Sequence, residues 1–241
     1  MRIYRLQVRI MQLALAITLA ALLGGLTANA LWGEKPSAAS SGNESSQGNG
    51  ADQEDEDSQE SAEGLTNKKI VALGDSFTYG YPVTPEKSWT QYLAELLQIS
   101  VVNKGLGRQT AQDMLDRFER DVLNEQPGRV IIFAGNGDIL QGVEIKAFQE
   151  NIIAMIAKAK ENEIIPVLAL PLPYKGYVQT ALTFRKWEQE YAQTNGILLL
   201  DFSTVLFDAE NDFLPDLSGD GKYPTVKGYK LMGEYAAQIL K

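Results

Sequence analysis

Five short apolar runs, each followed by a stretch of helical periodicity, limit what residues 67–241 can fold into. The runs are Lys68–Leu73, Ser100–Asn103, Arg129–Ala134, Ile164–Leu170 and Ile197–Leu200. None alternates apolar with polar residues, as a strand with one wet face does, so each reads as a strand covered on both faces. The intervening segments carry helical stripes: Trp89, Leu93, Leu96 and Leu97; Met114, Leu115, Phe118 and Val122; Phe148, Ile152, Met155 and Ile156. A further helix surrounds Trp187 and Tyr191, and a last one carries Tyr229, Met232, Ala236 and Ile239. Strand and helix in alternation predict a three-layer α/β/α domain with a five-stranded parallel sheet. Residues 67–241 are enough chain for one such domain.

The preceding residues read differently. Arg2, Arg5 and Arg9 are followed by no charge from Ile10 to Gly33. At about 1.5 Å per helical residue this run can cross a hydrocarbon core of ~30 Å. Basic residues ahead of it favour export of the chain beyond it. Thr27-Ala28-Asn29-Ala30 also offers a small-x-small cleavage site. The expectation for 1–33 is thus a membrane anchor or a signal peptide, with the folded part outside the cytoplasm. Residues 34–66 hold nine acidic groups and one Lys among Ser, Gly and Gln. Such a segment has almost nothing to bury, and a disordered tether is expected.

Charge and residue usage remove several classes of function. The net charge of −9 resolves into +3 before residue 10, −8 over 34–66 and −4 from Asn67 onward. No basic cluster is present to bind nucleic acid. The chain contains neither Cys nor His. Disulfides, thiolate zinc sites, a Cys nucleophile and a lipidated Cys are excluded, and a transition-metal site has no ligand set. Residues 216–227 resemble a calcium loop in their early positions, but Lys227 stands where the bidentate Glu belongs. No cofactor is expected, and the domain reads as a monomer.

In open α/β sheets ligands bind beyond the carboxyl ends of the strands. Those ends carry Gly74-Asp75-Ser76, then "NKGLGRQT" at 103–110 and "AGNGD" at 134–138, while "GDGKYPTVKGY" at 219–229 precedes the last helix. Together, in this order, they resemble the SGNH, or GDSL, hydrolase superfamily, and within it the single-domain esterase, thioesterase and lysophospholipase type. The resemblance covers essentially all of 67–241. It implies the flavodoxin-like fold of that superfamily, a nucleophile at Ser76, oxyanion donors at Ser76, Arg108 and Asn136, and an acid at Asp220. Ser76, Asn136 and Asp220 are then expected to converge at one end of the sheet.

The sequence departs from the family's pattern at functional positions. Where the family has its His, three residues after the Asp, this chain has Tyr223. Arg108 replaces a Gly whose N–H donates to the oxyanion, and any residue but Pro supplies that N–H. In the third block Asp138 is displaced by one from its usual place beside Asn136. A phenol with a pKa near ~10 is a poor base at neutral pH, yet acyl transfer needs one. Ser76 could instead cap a helix, Asn136 could satisfy loop backbone, and Asp220 could serve a turn. Residues 171–177, "PLPYKGY", offer an aromatic wall or an ordinary loop. Two functions remain open: an extracytoplasmic serine ester hydrolase with an altered base, or a non-catalytic module binding cell-wall glycan or acyl ligands.

Overall fold

A computed structural model describes residues 67–241; the anchor and tether expected in 1–66 lie outside the described residues. The five apolar runs form strands β1 (Ile70–Gly74), β2 (Val101–Gly105), β3 (Arg129–Phe133), β4 (Ile165–Ala169) and β5 (Leu198–Leu200). They make one sheet in the order β2-β1-β3-β4-β5, and every pairing is parallel.

Both faces of the sheet are covered, which is why the strands do not alternate. Ile70 and Ala72 of β1 point to one side, where α2 (Trp89–Leu97) and α9 (Val226–Leu240) pack through Trp89, Leu93, Tyr229, Met232 and Ala236. Val71 and Leu73 point to the other side. There α3 (Ala111–Asp116), α4 (Phe118–Asp121), α6 (Ile145–Glu161) and α7 (Val178–Asn195) contribute Met114, Phe118, Phe148, Ile152 and Phe184. Short helices α1 (Ser76–Tyr79), α5 (Asn136–Gln141) and α8 (Ser203–Leu206) each follow a strand end.

Local chemistry marks where these helices begin and end. Thr110 caps α3 by accepting from Asp113 N, and Asp113 returns the bond to Thr110 N at 2.8 Å, a reciprocal box. Thr225 starts α9 by accepting from Gly228 N at 3.3 Å. Gly196 closes α7 at φ +61°, a left-handed turn that glycine adopts without strain.

The strand order places a reversal between β1 and β3. From β1 the chain winds outward to β2, then returns across β1 to β3 and continues the other way. Loops leaving the carboxyl ends of β1 and β3 therefore part in opposite directions and leave a crevice between them. Among the described residues no helix is long and apolar enough to cross a membrane.

Candidate active site

Ser76 sits at this crevice, on the first residue of α1, directly beyond β1. Asp75 caps the helix, its carboxylate accepting from Phe77 N at 2.9 Å. The Gly137 N–H, in the loop after β3, is near enough to pull the carboxyl of Asp75 downward. Burial pushes its pKa to about 7, against the opposing pull of those N–H groups. At the other end of α1, Asn103 Nδ2 donates to Thr78 O at 2.8 Å, and its Oδ1 accepts from Gly105 N at 2.9 Å. The helix rests so closely on β2 that a β-carbon at Gly105 would lie 2.0 Å from Tyr79 N.

The backbone N–H of Arg108 donates to Ser76 Oγ at 3.1 Å. Arg108 holds φ +63°, the left-handed region in which a side chain is strained. Its loop is fixed from three sides. Gln141 Nε2 donates to Arg108 O at 2.6 Å, and Ala111 N donates to the carboxylate oxygens of Asp138 at 3.1 and 3.0 Å. Gly137 lies so close that a β-carbon there would sit 1.9 Å from Gln109 O. This contact explains the altered third block: an aspartate at 137 would strike the neighbouring loop, and the acid moves to 138, where it grips Ala111 N instead. Burial raises Asp138 to about 6.

Asn136 follows β3 and is buried. Its Nδ2 donates to Leu172 O at 3.0 Å and its Oδ1 accepts from Leu172 N at 3.1 Å. An amide nitrogen carries two hydrogens, so this pairing leaves one donor for an oxyanion. Ser76, Arg108 and Asn136 line one shallow cleft with Asp75, Phe77, Gly137, Leu140, Tyr174 and Tyr223. Larger depressions open at the opposite end of the sheet, one around Ile164, Pro166 and Ile197, but they gather no nucleophile.

Tyr223 enters the cleft from the loop before α9. Its ring lies 5.2 Å from that of Phe77 and 4.7 Å, edge-on, from that of Tyr81. Burial, and then the charge of Asp75, raise its pKa above the ordinary 10.0 against the smaller lowering pull of the nearby Ser76 hydroxyl. At neutral pH this phenol is a proton donor. Tyr174 is raised further, by burial and then by Tyr223.

Asp220 is placed differently. It is exposed and does not line the cleft. Its Oδ1 accepts from Ser218 Oγ at 3.1 Å, Lys222 N at 2.8 Å and Tyr223 N at 2.9 Å. Partial burial works upward on its pKa, but the Tyr223 and Lys222 N–H groups outweigh it and hold the carboxyl low. The carboxylate therefore shapes the loop that carries Tyr223 and makes no bond to the phenol oxygen. The structure brings four of the five expected site residues into one cleft and leaves Asp220 at its edge. Sequence reasoning did not assign Asp75, Phe77 or Leu140 to the site. Asp75 had a signal in its place between an apolar strand and Ser76; Leu140 had none.

Residues 72–231 match the GDSL-like Lipase/Acylhydrolase family. The chain is 26% identical over 189 residues to an arylesterase of Vibrio mimicus, covering 75% of this chain and 92% of that protein. It is 32% identical over 126 residues to the uncharacterized lipoprotein YqeF of Bacillus subtilis, 46% of this chain but only 51%, about half, of that relative. A solved structure from Desulfitobacterium hafniense DCB-2, assigned to the lipolytic G-D-S-L family, is 56% identical. It superposes with a TM-score of 0.71 over 72% of this chain and 99% of its own.

Proposed function

The chain belongs to the GDSL-like lipase/acylhydrolase family, and from that membership we propose that it is an extracytoplasmic serine ester hydrolase acting through Ser76 without an imidazole base. The observation that carries the reading is the Arg108 N–H aimed at Ser76 Oγ at 3.1 Å, with Asn136 lining the same cleft. On this reading Ser76 is the nucleophile, and its own N–H, that of Arg108 and the Asn136 amide are the three donors for the developing oxyanion.

The steps follow from these positions. Ser76 Oγ attacks the ester carbonyl. The carbonyl oxygen takes up negative charge and is met by the N–H groups of Ser76 and Arg108 and by the free hydrogen of Asn136 Nδ2. The serine proton passes to water, since the phenol of Tyr223 holds its own proton. Tyr223 stands ready to donate to the leaving alkoxide. Water then hydrolyses the acyl-serine, releasing the acid and restoring the serine hydroxyl, and the phenolate of Tyr223 takes back a proton from solvent. Losing the base in serine hydrolases costs on the order of 10⁶ in turnover, while the remaining site keeps ~10³–10⁴ over water. Slow hydrolysis is the expected output.

The raised phenol favours a second reading, in which the cleft binds an acyl or glycan ligand without turning it over. The experiment that separates them is hydrolysis of short p-nitrophenyl esters by the purified protein beside Ser76→Ala. Hydrolysis that disappears in Ser76→Ala supports the enzyme. Equal rates in both, with retained ligand binding, support the module. The uncharged run from Ile10 to Gly33 behind three Arg residues supports a location outside the cytoplasmic membrane.

A further inference from the structure

We propose that Arg108 and Lys222 make this cleft selective for esters that carry a negatively charged group, carboxylate or phosphate, close to the scissile bond. The inference rests on the reading of Ser76 as an ester-binding nucleophile and names the substrate class for that site.

The first observation is the backbone of Arg108. Glycine would supply the same N–H to Ser76 and would adopt φ +63° without strain. The guanidinium is thus unnecessary for the oxyanion contact, and the chain carries it in a conformation that disfavours any side chain. The base of that side chain is fixed, because Gln141 Nε2 holds Arg108 O at 2.6 Å. A cation is mounted on a rigid loop at the rim of the cleft.

The second observation is what Arg108 lacks. The buried Arg117 and Arg185 bond to Asp121 and Asp201, each at 2.7 Å. Among the described residues, neither Arg108 nor Lys222 forms a salt bridge within 4.0 Å. Exposed Arg108 lines the cleft itself.

The third is the position of Lys222. Its Nζ lies 5.5 Å from the ring centre of Tyr174 and 5.7 Å from that of Tyr223, the two tyrosines of the cleft wall. Ring faces attract an ammonium and keep it there. The acid lining the cleft is Asp75, which is 2% exposed and accepts from Phe77 N. A domain that is net negative from Asn67 onward therefore sets two cations without a salt bridge among the described residues at this cleft, Arg108 in its lining and Lys222 beside the rings of Tyr174 and Tyr223. A guanidinium pairs with carboxylate or phosphate through two parallel hydrogen bonds.

The test uses the full chain and three aryl acetates of similar size: 4-acetoxybenzoate, 4-acetoxyphenyl phosphate and neutral 4-acetoxybenzamide. Binding is measured by calorimetry in the Ser76→Ala protein, where the esters persist, and turnover in the Ser76 protein. We expect at least one anionic ester to bind tenfold or more tighter than the amide, about 1.4 kcal/mol. Adding Arg108→Gln or Arg108→Gly should cut that ratio at least fivefold, with a smaller loss for Lys222→Gln. Raising the salt should compress it. The two anions distinguish a carboxylate from a phosphate ligand. A ratio near one, a ratio untouched by the Arg108 variants, or no binding of either anion at millimolar concentration overturns the proposal. Turnover without charge preference sinks it and leaves the hydrolase standing. Charge-selective binding without turnover does the reverse.

Discussion

Replacing Tyr223 by His tests whether this site lacks only a proton acceptor. The phenol ring reaches Ser76 and keeps its proton, because burial and Asp75 raise its pKa. An imidazole at the same position, with an unperturbed pKa near ~6.5, is mostly neutral at pH 7.5 and can accept. The gain can be bounded. A full base is worth roughly 10⁶ in turnover, and losing the carboxylate that orients it removes about 10⁴ of that. Asp220 makes no bond to the phenol oxygen, its recorded bonds being those of Oδ1 with Ser218, Lys222 and Tyr223, so the bound credits it with no orientation of the ring. What remains is about 10², and a rotated ring reduces it further. The expected gain in kcat/KM is between about tenfold and a hundredfold, or 1.4 to 2.7 kcal/mol of barrier.

The substitution has a cost in stability. Tyr223 loses ring contacts with Phe77 at 5.2 Å and Tyr81 at 4.7 Å, each worth about 0.5–1.5 kcal/mol. The assay is hydrolysis of p-nitrophenyl acetate at pH 7.5, well below the variant's melting temperature, with the Ser76→Ala double variant alongside. The gain should vanish with Ser76. If the parent is already fast and Tyr223→His slows it, Tyr223 or Lys222 is the working base and the account of an impaired site is wrong.

Other substitutions probe the scaffold. Gly137→Ala should destabilise by about 1–3 kcal/mol or more and weaken any Ser76-dependent hydrolysis, because its β-carbon would lie 1.9 Å from Gln109 O; an unchanged melt refutes the close approach. Tyr229→Phe removes a buried hydroxyl that donates to Tyr81 O at 2.6 Å and should cost about 1–1.5 kcal/mol in denaturant unfolding. Glu188, fully buried with both carboxylate oxygens unpartnered, is raised well above the ordinary 4.5 by burial. The folded state then holds a proton that the unfolded chain releases, so this contribution is intact below pH 4.5 and declines as pH rises toward the folded pKa. Glu188→Gln should flatten the fall in stability between pH 4.5 and the folded pKa by up to ~1.4 kcal/mol per pH unit; equal slopes in both proteins over that range would refute a protonated Glu188.

The sheet was legible in sequence because its strands are buried on both faces, which leaves unbroken apolar runs. The strand termini differ from the expected ones by a residue or two. Lys68, for example, precedes the first ladder pair, whereas Gly74 joins it as the partner of Gly105 and Phe133. Glycine gives no strand signal, and at Gly74 a β-carbon would strike Thr78 of α1. The cleft was legible as far as its residues sit at strand ends, since topology alone brings those together. What each side chain does there depends on contacts between distant loops. The position of Asn136 in the cleft was readable from its place after a strand end, but its pairing with Leu172, 36 residues on, was not.

The separation of Asp220 from the phenol oxygen shows how far a motif carries mechanism. In an Asp-x-x-His arrangement, four consecutive residues bring an acid and an imidazole into one turn. Here Asp220 bonds to the N–H groups of Lys222 and Tyr223. These bonds depend on backbone and are independent of the side chain at 223. The turn thus survives the loss of the imidazole and places the replacement ring against Phe77, beside Ser76. The same independence holds at Arg108, whose N–H serves Ser76 whatever its side chain does. Backbone donors hold the surroundings of Ser76 whatever side chains stand at 108 and 223. An imidazole at 223 therefore needs no rebuilt loop, and a change of side chain at 108 leaves the N–H to Ser76 Oγ in place.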